Sequence, residues 1–226
     1  MIGPSDSASA ARTFYDSRYH FAEDVDRPNP ERLWRALRHL EPLPGATLLD
    51  LGCGVGWSTR IAITRGGVSH AVGLDFSRTA LALAASETGI DEQKRVEWVC
   101  GDGTALPFGD GSFDRAFSFG SMEHFPDVRR GFAELARVLL PGGRAVSVVP
   151  NFYVRTGQPV EHHDTLAGWR RIIEGAGLEV TRVAGDHGPA LLKNRRPARI
   201  ALRLALRVAS VMPALRYQFI FLMRKP

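Results

Sequence analysis

One stretch decides the fold, and it reads Leu48-Leu49-Asp50-Leu51-Gly52-Cys53-Gly54-Val55-Gly56-Trp57-Ser58-Thr59. It begins as a short apolar run typical of a buried parallel strand, breaks into alternating glycines and resumes as a helical pattern. A strand, a glycine turn and a helix in this order bring backbone N–H groups and the positive helix end against a ligand. A dinucleotide site needs G-x-G-x-x-G, and its third glycine would fall at position 57, where this chain has Trp57. The alternating spacing therefore argues against NAD as the ligand.

Length and composition set the outer bounds. A chain of 226 residues fits one α/β domain with elaborations. It has no apolar run of about 18 residues, so no spanning helix is predicted, and residues 1–12 lack the apolar centre of a secretion signal. Cys53 and Cys100 form neither a metal nor a disulfide pattern. We therefore expect a cytoplasmic protein.

The positive charge is concentrated in one terminal segment. Of the net +5, the residues from Lys193 to Pro226 contribute nine Lys or Arg and no acid. This distribution argues against nucleic acid as a partner. Arg199, Arg203 and Arg207 recur every four residues among apolar ones, which predicts a helical insertion at about 195–212. We expect a surface helix, a cap over a bound substrate, or a weak membrane-surface contact without stable insertion.

Apolar runs alternate with helical patterns along the rest of the chain. This order predicts a parallel, doubly wound sheet in an α/β domain over residues 29–226, preceded by a flexible segment over residues 1–28. Helices are expected at 31–40, from Ser77 and at 127–140, with Asp164 as the cap of a later one. Strands are expected at 48–51, 69–75, 96–100, 113–119, 144–149, 178–184 and 217–223.

Several motifs along the chain resemble those of the class I S-adenosylmethionine (SAM) methyltransferases. The glycine loop resembles motif I, and Asp75 matches the acid of motif II. Residues 101–108 resemble the adenine-binding stretch, Phe113-Asp114 the start of the motif IV strand, and residues 139–143 the turn before strand five. The resemblance covers roughly residues 45–150. It implies a Rossmann-like seven-stranded sheet whose last strand is antiparallel and lies between the fifth and the sixth.

The same resemblance implies SAM as cofactor and S-adenosylhomocysteine as product. Asp75 is expected on the ribose hydroxyls, Asp102 on the adenine amino group with Phe76 against the ring, and Asp50 near the methionine amino group. The segment around Tyr19 is a candidate lid over the cofactor. The other candidate cofactor residues are Gly52, Gly54, Gly56, Trp57, Gly103 and Ser118.

Methyl transfer needs mainly the positioning of donor and acceptor, but an acceptor hydroxyl must also lose its proton. Four histidines follow strands at the expected end of the sheet, and each is a candidate base: His124, His162, His163 and His187. Water, an acidic residue and a mechanism based on proximity alone are the alternatives. The Glu123-His124 pair resembles quinone-biosynthetic O-methyltransferases, some of which add an acid three residues earlier and bind a divalent metal. Because Gly120 stands at that position, we predict no metal.

The methyl acceptor is expected to be a small molecule from a biosynthetic pathway. The chain lacks the Asn/Asp-Pro-Pro-Tyr/Phe loop that orients planar amines in DNA and many protein N-methyltransferases. Transfer to oxygen or nitrogen is the main hypothesis. The alternatives are C-methylation of a quinone or isoprenoid-like acceptor, and a SAM-binding protein without turnover.

Overall fold

The structure is a computed structural model that describes residues 13–14, 16–17, 29–154, 158, 160–186 and 217–226. Seven strands form one sheet: β1 Thr47–Leu51, β2 His70–Asp75, β3 Val96–Cys100, β4 Phe113–Phe119, β5 Leu139–Pro150, β6 Glu179–Asp186 and β7 Gln218–Arg224. Their order is β3-β2-β1-β4-β5-β7-β6. The first five are parallel, and β7 runs antiparallel between β5 and β6. The predicted sheet and its antiparallel last strand are confirmed.

Six α-helices accompany the sheet in the described residues: α1 Pro30–Leu37, α2 Trp57–Thr64, α3 Arg78–Ser86, α4 Ile90–Gln93, α5 Val128–Val138 and α6 Leu166–Gly175. Short 3-10 turns follow at Arg38–Leu40 and Met122–His124. Asn29 and Ser77 cap α1 and α3 by accepting backbone N–H groups, as such side chains commonly do. No helix in this part of the chain is long and apolar enough to cross a bilayer.

Buried apolar side chains cover both faces of the sheet. One cluster holds Phe132, Trp169 and Phe219, where the rings of Phe132 and Trp169 meet edge to face at 6.4 Å. The other cluster packs Leu37 of α1 and Ile63 of α2 onto the opposite face. Because both faces are covered, the polar ends of the strands are the places left for a ligand.

Two predicted boundaries are wrong. The helix expected at 127–140 ends at Val138, because the fully buried Leu139 pairs with Phe113 and starts β5. The register then moves to Arg144 opposite Arg115, so residues 140–143 form an irregularity in the strand. Asp164 is not the cap of α6, since the Thr165 hydroxyl accepts the Gly168 N–H at 3.2 Å.

One arginine joins the first helix to the last two strands. Asp186 ends β6 and pairs in register with Gln218 at the start of β7. Arg32 of α1 donates from Nε to Asp186 Oδ2 at 2.7 Å and from Nη2 to Gln218 Oε1 at 2.5 Å. The chain therefore leaves the sheet at Asp186 and re-enters it at Gln218, and Arg32 bonds to both residues. The predicted helix at 195–212, His187 and Tyr19 lie outside the described residues.

Candidate functional site

The glycine loop joins β1 to α2 through three residues with positive φ. Gly52, Gly54 and Gly56 have φ of 72°, 54° and 76°, a region that side-chain-bearing residues rarely adopt. A Cβ on Gly52 would overlap Ser121, and one on Gly56 would overlap the ring of Trp98. The backbone N–H of Gly54 donates a hydrogen bond to Asp75 Oδ2 at 2.8 Å. The strand, glycine turn and helix follow one another at the carboxyl end of β1, as predicted. The N–H groups of Gly52, Gly54 and Gly56 bond within the protein, so the binding of a ligand by this cradle stays a prediction.

Asp50 holds the cradle to the start of α2. Its Oδ2 accepts hydrogen bonds from Ser58 Oγ at 2.5 Å and Thr59 Oγ1 at 2.6 Å. Burial raises the pKa of this carboxyl to about 6, against the opposing effect of the two hydroxyls. Asp50 thus supports the loop, and its expected place near the methionine amino group stays a prediction.

Asp75 ends β2 directly beside the glycine loop. Its Oδ2 accepts the Gly54 N–H at 2.8 Å, and its Oδ1 accepts the Ser77 N–H at 2.9 Å. Burial raises the pKa of the carboxyl, while the backbone N–H groups oppose this shift. The backbone N–H groups of Gly54, Ser77 and Phe76 all bond to this carboxylate, which has about four acceptor positions, so it keeps capacity for a ribose hydroxyl. Its contact with the ribose stays a prediction.

The expected adenine contacts lie at the ends of two neighbouring strands. Phe76 is half-buried after β2, and Asp102 is exposed after β3. Asp102 Oδ1 accepts from the Thr104 N–H and hydroxyl, both at 2.8 Å, and so shapes the turn. Gly103 is buried, and a Cβ there would overlap the ring of Phe125. This end therefore presents a carboxylate and a ring on a rigid turn.

The remaining cofactor candidates divide into polar and packing residues. Ser118 is fully buried and shares a 2.8 Å hydrogen bond with Ser121, whose hydroxyl donates to the Leu51 carbonyl at 2.9 Å. These two hydrogen bonds connect the end of β4 to the glycine loop. Trp57 packs against the guanidinium of Arg60, 4.6 Å from the ring centre. Its expected contact with the cofactor stays a prediction.

One N-terminal residue reaches this edge of the sheet without having been predicted to do so. Asp16 accepts a 2.6 Å hydrogen bond from the hydroxyl of Ser77, two residues after Asp75. Its charge also raises the pKa of Asp75. The only sequence signal was its position between two tyrosines in the candidate lid. The contact places this part of the segment beside the expected ribose position.

Two of the candidate histidines lie close to Glu123. The ring of His124 is nearly buried, with Nδ1 2.6 Å from the Val160 carbonyl and Nε2 3.9 Å from Glu123 Oε1. The backbone N–H of His162 donates to the Glu123 carbonyl at 2.7 Å. The His162 ring packs edge-on against Trp169 at 4.9 Å, with Nε2 3.5 Å from Asp164 Oδ2.

His163 forms a pair with a carboxylate. Its Nε2 lies 3.1 Å from Glu161 Oε2, and both side chains are largely buried. Three of the four predicted histidines thus lie in two adjoining segments, His124 in the segment after β4 and His162 and His163 in the segment after β5. No cluster of three or more potential metal ligands occurs in the described residues.

Glu123 was noted in the sequence as part of the Glu123-His124 pair but was not predicted as a site residue. Its side chain is 4% exposed, and its Oε2 has no hydrogen-bond partner in the structure. Burial, reinforced by the nearby Glu161 carboxylate, raises the pKa of Glu123 to about 8, although its own backbone N–H acts in the opposite direction. The carboxyl is therefore mostly protonated at neutral pH. The signal that was available was its place in Ser-Met-Glu-His directly after β4.

Comparisons with known proteins agree with this geometry. A family described as a methyltransferase domain matches residues 49–147, which run from the glycine loop into β5. The demethylmenaquinone methyltransferase of Lactococcus lactis subsp. lactis (strain IL1403) is 36% identical over 119 residues, 51% of this chain and 47% of that protein. Residues 49–147 of this chain are therefore a methyltransferase domain.

Two further proteins show how far the likeness of this chain to methyltransferases extends. The 24-methylenesterol C-methyltransferase 2 of Oryza sativa subsp. japonica is 35% identical over 164 residues, 68% of this chain and 44% of that protein. The chain thus spans about half the length of the curated relatives it matches. Phosphoethanolamine N-methyltransferase 2 of Haemonchus contortus, solved with SAM, shares the fold with a TM-score of 0.71 at 20% identity, over 96% of this chain and 60% of that chain.

Proposed function

We propose that this methyltransferase transfers the methyl group of SAM to a small organic acceptor. The observation that carries the proposal is Asp75, which is bonded to the glycine loop through Gly54 and still has acceptor capacity for a ribose hydroxyl. When bound, SAM supplies an electrophilic methyl group on sulfur, so the protein's task is to position donor and acceptor. The glycines allow the loop its positive φ angles and its close packing against Ser121 and Trp98 beside the expected cofactor position.

The acceptor is expected beyond the end of β4, where Glu123 and the histidines converge. Transfer to oxygen or nitrogen remains the main hypothesis, with no nucleic acid as partner and a cytoplasmic location. C-methylation of a quinone or isoprenoid-like acceptor is the second candidate. It is favoured by the names of two relatives, a demethylmenaquinone methyltransferase and a sterol C-methyltransferase.

Two measurements test the proposal. Calorimetry should show SAM and S-adenosylhomocysteine binding, with no competition from NAD. A panel of matched hydroxyl, amine and quinol compounds should then include one that drives repeated release of S-adenosylhomocysteine and gains the mass of a methyl group. A protein that binds SAM but methylates nothing in the panel would support the alternative of a SAM-binding protein without turnover. Absence of SAM binding would refute the proposal itself.

A further inference from the structure

Three buried side-chain atoms without a hydrogen bond lie in one patch of the described chain: Glu123 Oε2, His162 Nε2 and His163 Nδ1. The 2.7 Å bond from the His162 N–H to the Glu123 carbonyl holds the two segments together. Buried polar atoms normally have partners, because leaving one unpaired costs about 1–3 kcal/mol. Several of them in one patch indicate a ligand that would supply the missing bonds.

The patch borders the cofactor cradle. Glu123 belongs to the turn that follows β4, and Ser121 of the same turn donates to the Leu51 carbonyl. Ser121 also fills the space beside Gly52. A molecule bound at Glu123 would therefore lie next to the loop that is expected to hold SAM.

Glu123 and His163 offer opposite hydrogen-bonding roles. With its proton on Nε2, His163 donates to Glu161, and the buried Nδ1 keeps a lone pair that can accept. A carboxylate that orients a histidine in this way is a common device for making a general base. Glu123, in contrast, carries a proton at neutral pH and can donate.

The surrounding charges favour an uncharged ligand. The groups that face Glu123 are the Glu161 carboxylate and the His124 ring, with His162, His163 and Asp164 in the adjoining loop. An anionic acceptor would be repelled by Glu161. An ammonium group would instead favour ionised Glu123, whose burial opposes that state.

We propose that Glu123 and His163 bind the methyl acceptor, and that they select an uncharged compound with two neighbouring oxygens, one of them the hydroxyl that is methylated. This inference rests on the proposed function. Glu123 donates to one oxygen, and the other oxygen presents its O–H to His163 Nδ1. The O–H bond breaks and its proton passes to Nδ1, the oxygen bonds the methyl carbon, and the carbon–sulfur bond breaks with its electron pair on sulfur. Glu161 balances the imidazolium charge until the proton leaves to solvent.

A binding experiment tests the site directly. Protein saturated with S-adenosylhomocysteine is labelled with ¹³C in glutamate carboxyls and ¹⁵N in histidine rings, and the signals are assigned with Glu123→Gln and His163→Gln. Catechol, which carries two adjacent hydroxyls, should shift the Glu123 and His163 signals. The dimethyl ether of catechol has no O–H to donate and should leave the His163 signal in place, and 1,2-phenylenediamine should leave both signals in place. Unmoved signals at saturating catechol, or equal shifts with the diamine, would overturn the proposal.

Variants separate a proton donor from a base at position 123. Glutamine keeps a donor where methionine does not, so Glu123→Met should raise the KM for catechol about tenfold, whereas Glu123→Gln stays within about threefold. His163→Gln should lower kcat by about 10²–10⁴ at neutral pH. The control is His70→Gln, since His70 lies 3.6 Å from Glu97 in an exposed histidine–glutamate pair elsewhere on the protein.

Each outcome of the kinetic experiment has a stated meaning. Equal increases in the KM for catechol in Glu123→Gln and Glu123→Met would overturn the donor role of Glu123. A kcat of His163→Gln equal to that of His70→Gln would overturn the role of His163 as the base. Catechol that binds but is never methylated would also overturn the proposal. Failure of the wild type to bind SAM, measured separately by calorimetry, would instead refute the proposed function.

Discussion

The indole of Trp98 occupies the space that a Cβ on Gly56 would fill. Trp98 comes from β3, two strands away from the loop, and it also packs against Gly73 of β2. The last glycine of the loop is therefore required by the packing of the sheet as well as by its own φ of 76°. Formation of the cofactor cradle is thus coupled to the folding of the sheet edge.

Replacing Gly56 by alanine should destabilise the protein more than its backbone angle alone explains. Gly45 is the matched control, because its φ is 79° and no atom lies within 4 Å of its added Cβ. We expect Gly45→Ala to lower the free energy of unfolding by about 1–2 kcal/mol, the cost of a left-handed alanine. Gly56→Ala should lose a further 1–3 kcal/mol or so through overpacking against Trp98. Urea denaturation measures both, and equal losses would show that Trp98 yields without cost.

Asp75→Ala should weaken SAM binding by about 1.5–3 kcal/mol, because charge-assisted hydrogen bonds to the ribose are lost. Asp114→Ala serves as control. That carboxylate also accepts a backbone N–H and a hydroxyl, both from Thr47, but it lies at the opposite end of the sheet. Calorimetry measures the SAM affinity of both variants. Similar SAM affinities for the two would remove Asp75 from the cofactor site.

Glu123→Gln should change how stability depends on pH. A carboxyl whose pKa rises from 4.5 unfolded to about 8 folded binds more protons in the folded state. The stability of the wild type relative to the variant should therefore fall as pH rises from about 4.5 to 8 and level off above that range. The upper limit of this change is about 5 kcal/mol.

Urea titrations at a series of pH values would measure the effect of Glu123. Glu97→Gln, which changes an exposed glutamate, is the control. A pH-dependent difference for Glu123→Gln no larger than that of the control would mean that Glu123 is ionised in the folded protein at neutral pH. The donor role proposed for it would then be untenable.

Arg32→Met should be costly, because it leaves the carboxylate of Asp186 buried without its partner. Breaking a buried ion pair typically costs about 3–5 kcal/mol. The control is Arg65→Met, since the exposed Arg65–Glu31 pair is worth at most about 1 kcal/mol. A double-mutant cycle of Arg32→Met with Asp186→Asn measures the coupling by urea denaturation. Additive losses in that cycle would show that the two side chains do not interact in solution.

Local patterns predicted the features that depend on neighbours in sequence. The apolar run before Gly52 gave β1, the next apolar run gave β2 with Asp75 at its end, and the hydroxyl of Ser77 gave the cap of α3. The boundary at Leu139 failed because pairing with Phe113, a contact distant in sequence, outweighs the helical pattern.

Features that depend on the packing of distant segments could not be predicted in this way. Trp98 meets Gly56 only because β3 lies beside β2 in the finished sheet. Glu123 stands between Met122 and His124, and nothing in these neighbours shows that it is buried. The loop that carries Glu161 lies near it in the structure but follows much later in the sequence. The pairing of His163 with Glu161 is a property of loop geometry that residue spacing does not determine.

The hydrogen bonds of Arg32 to Asp186 and Gln218 have a consequence for how the sequence between those two residues can vary. The pairing of β6 with β7 already holds Asp186 and Gln218 side by side. Closing a loop whose ends are fixed costs entropy only slowly with length, about 0.6 kcal/mol for each doubling. The contacts that fix Asp186 and Gln218 all lie within the described residues, so they do not depend on which sequence connects β6 to β7. The connection between these two strands is therefore a place where sequence drift could alter one part of the protein while Asp50 and Asp75 stay unchanged.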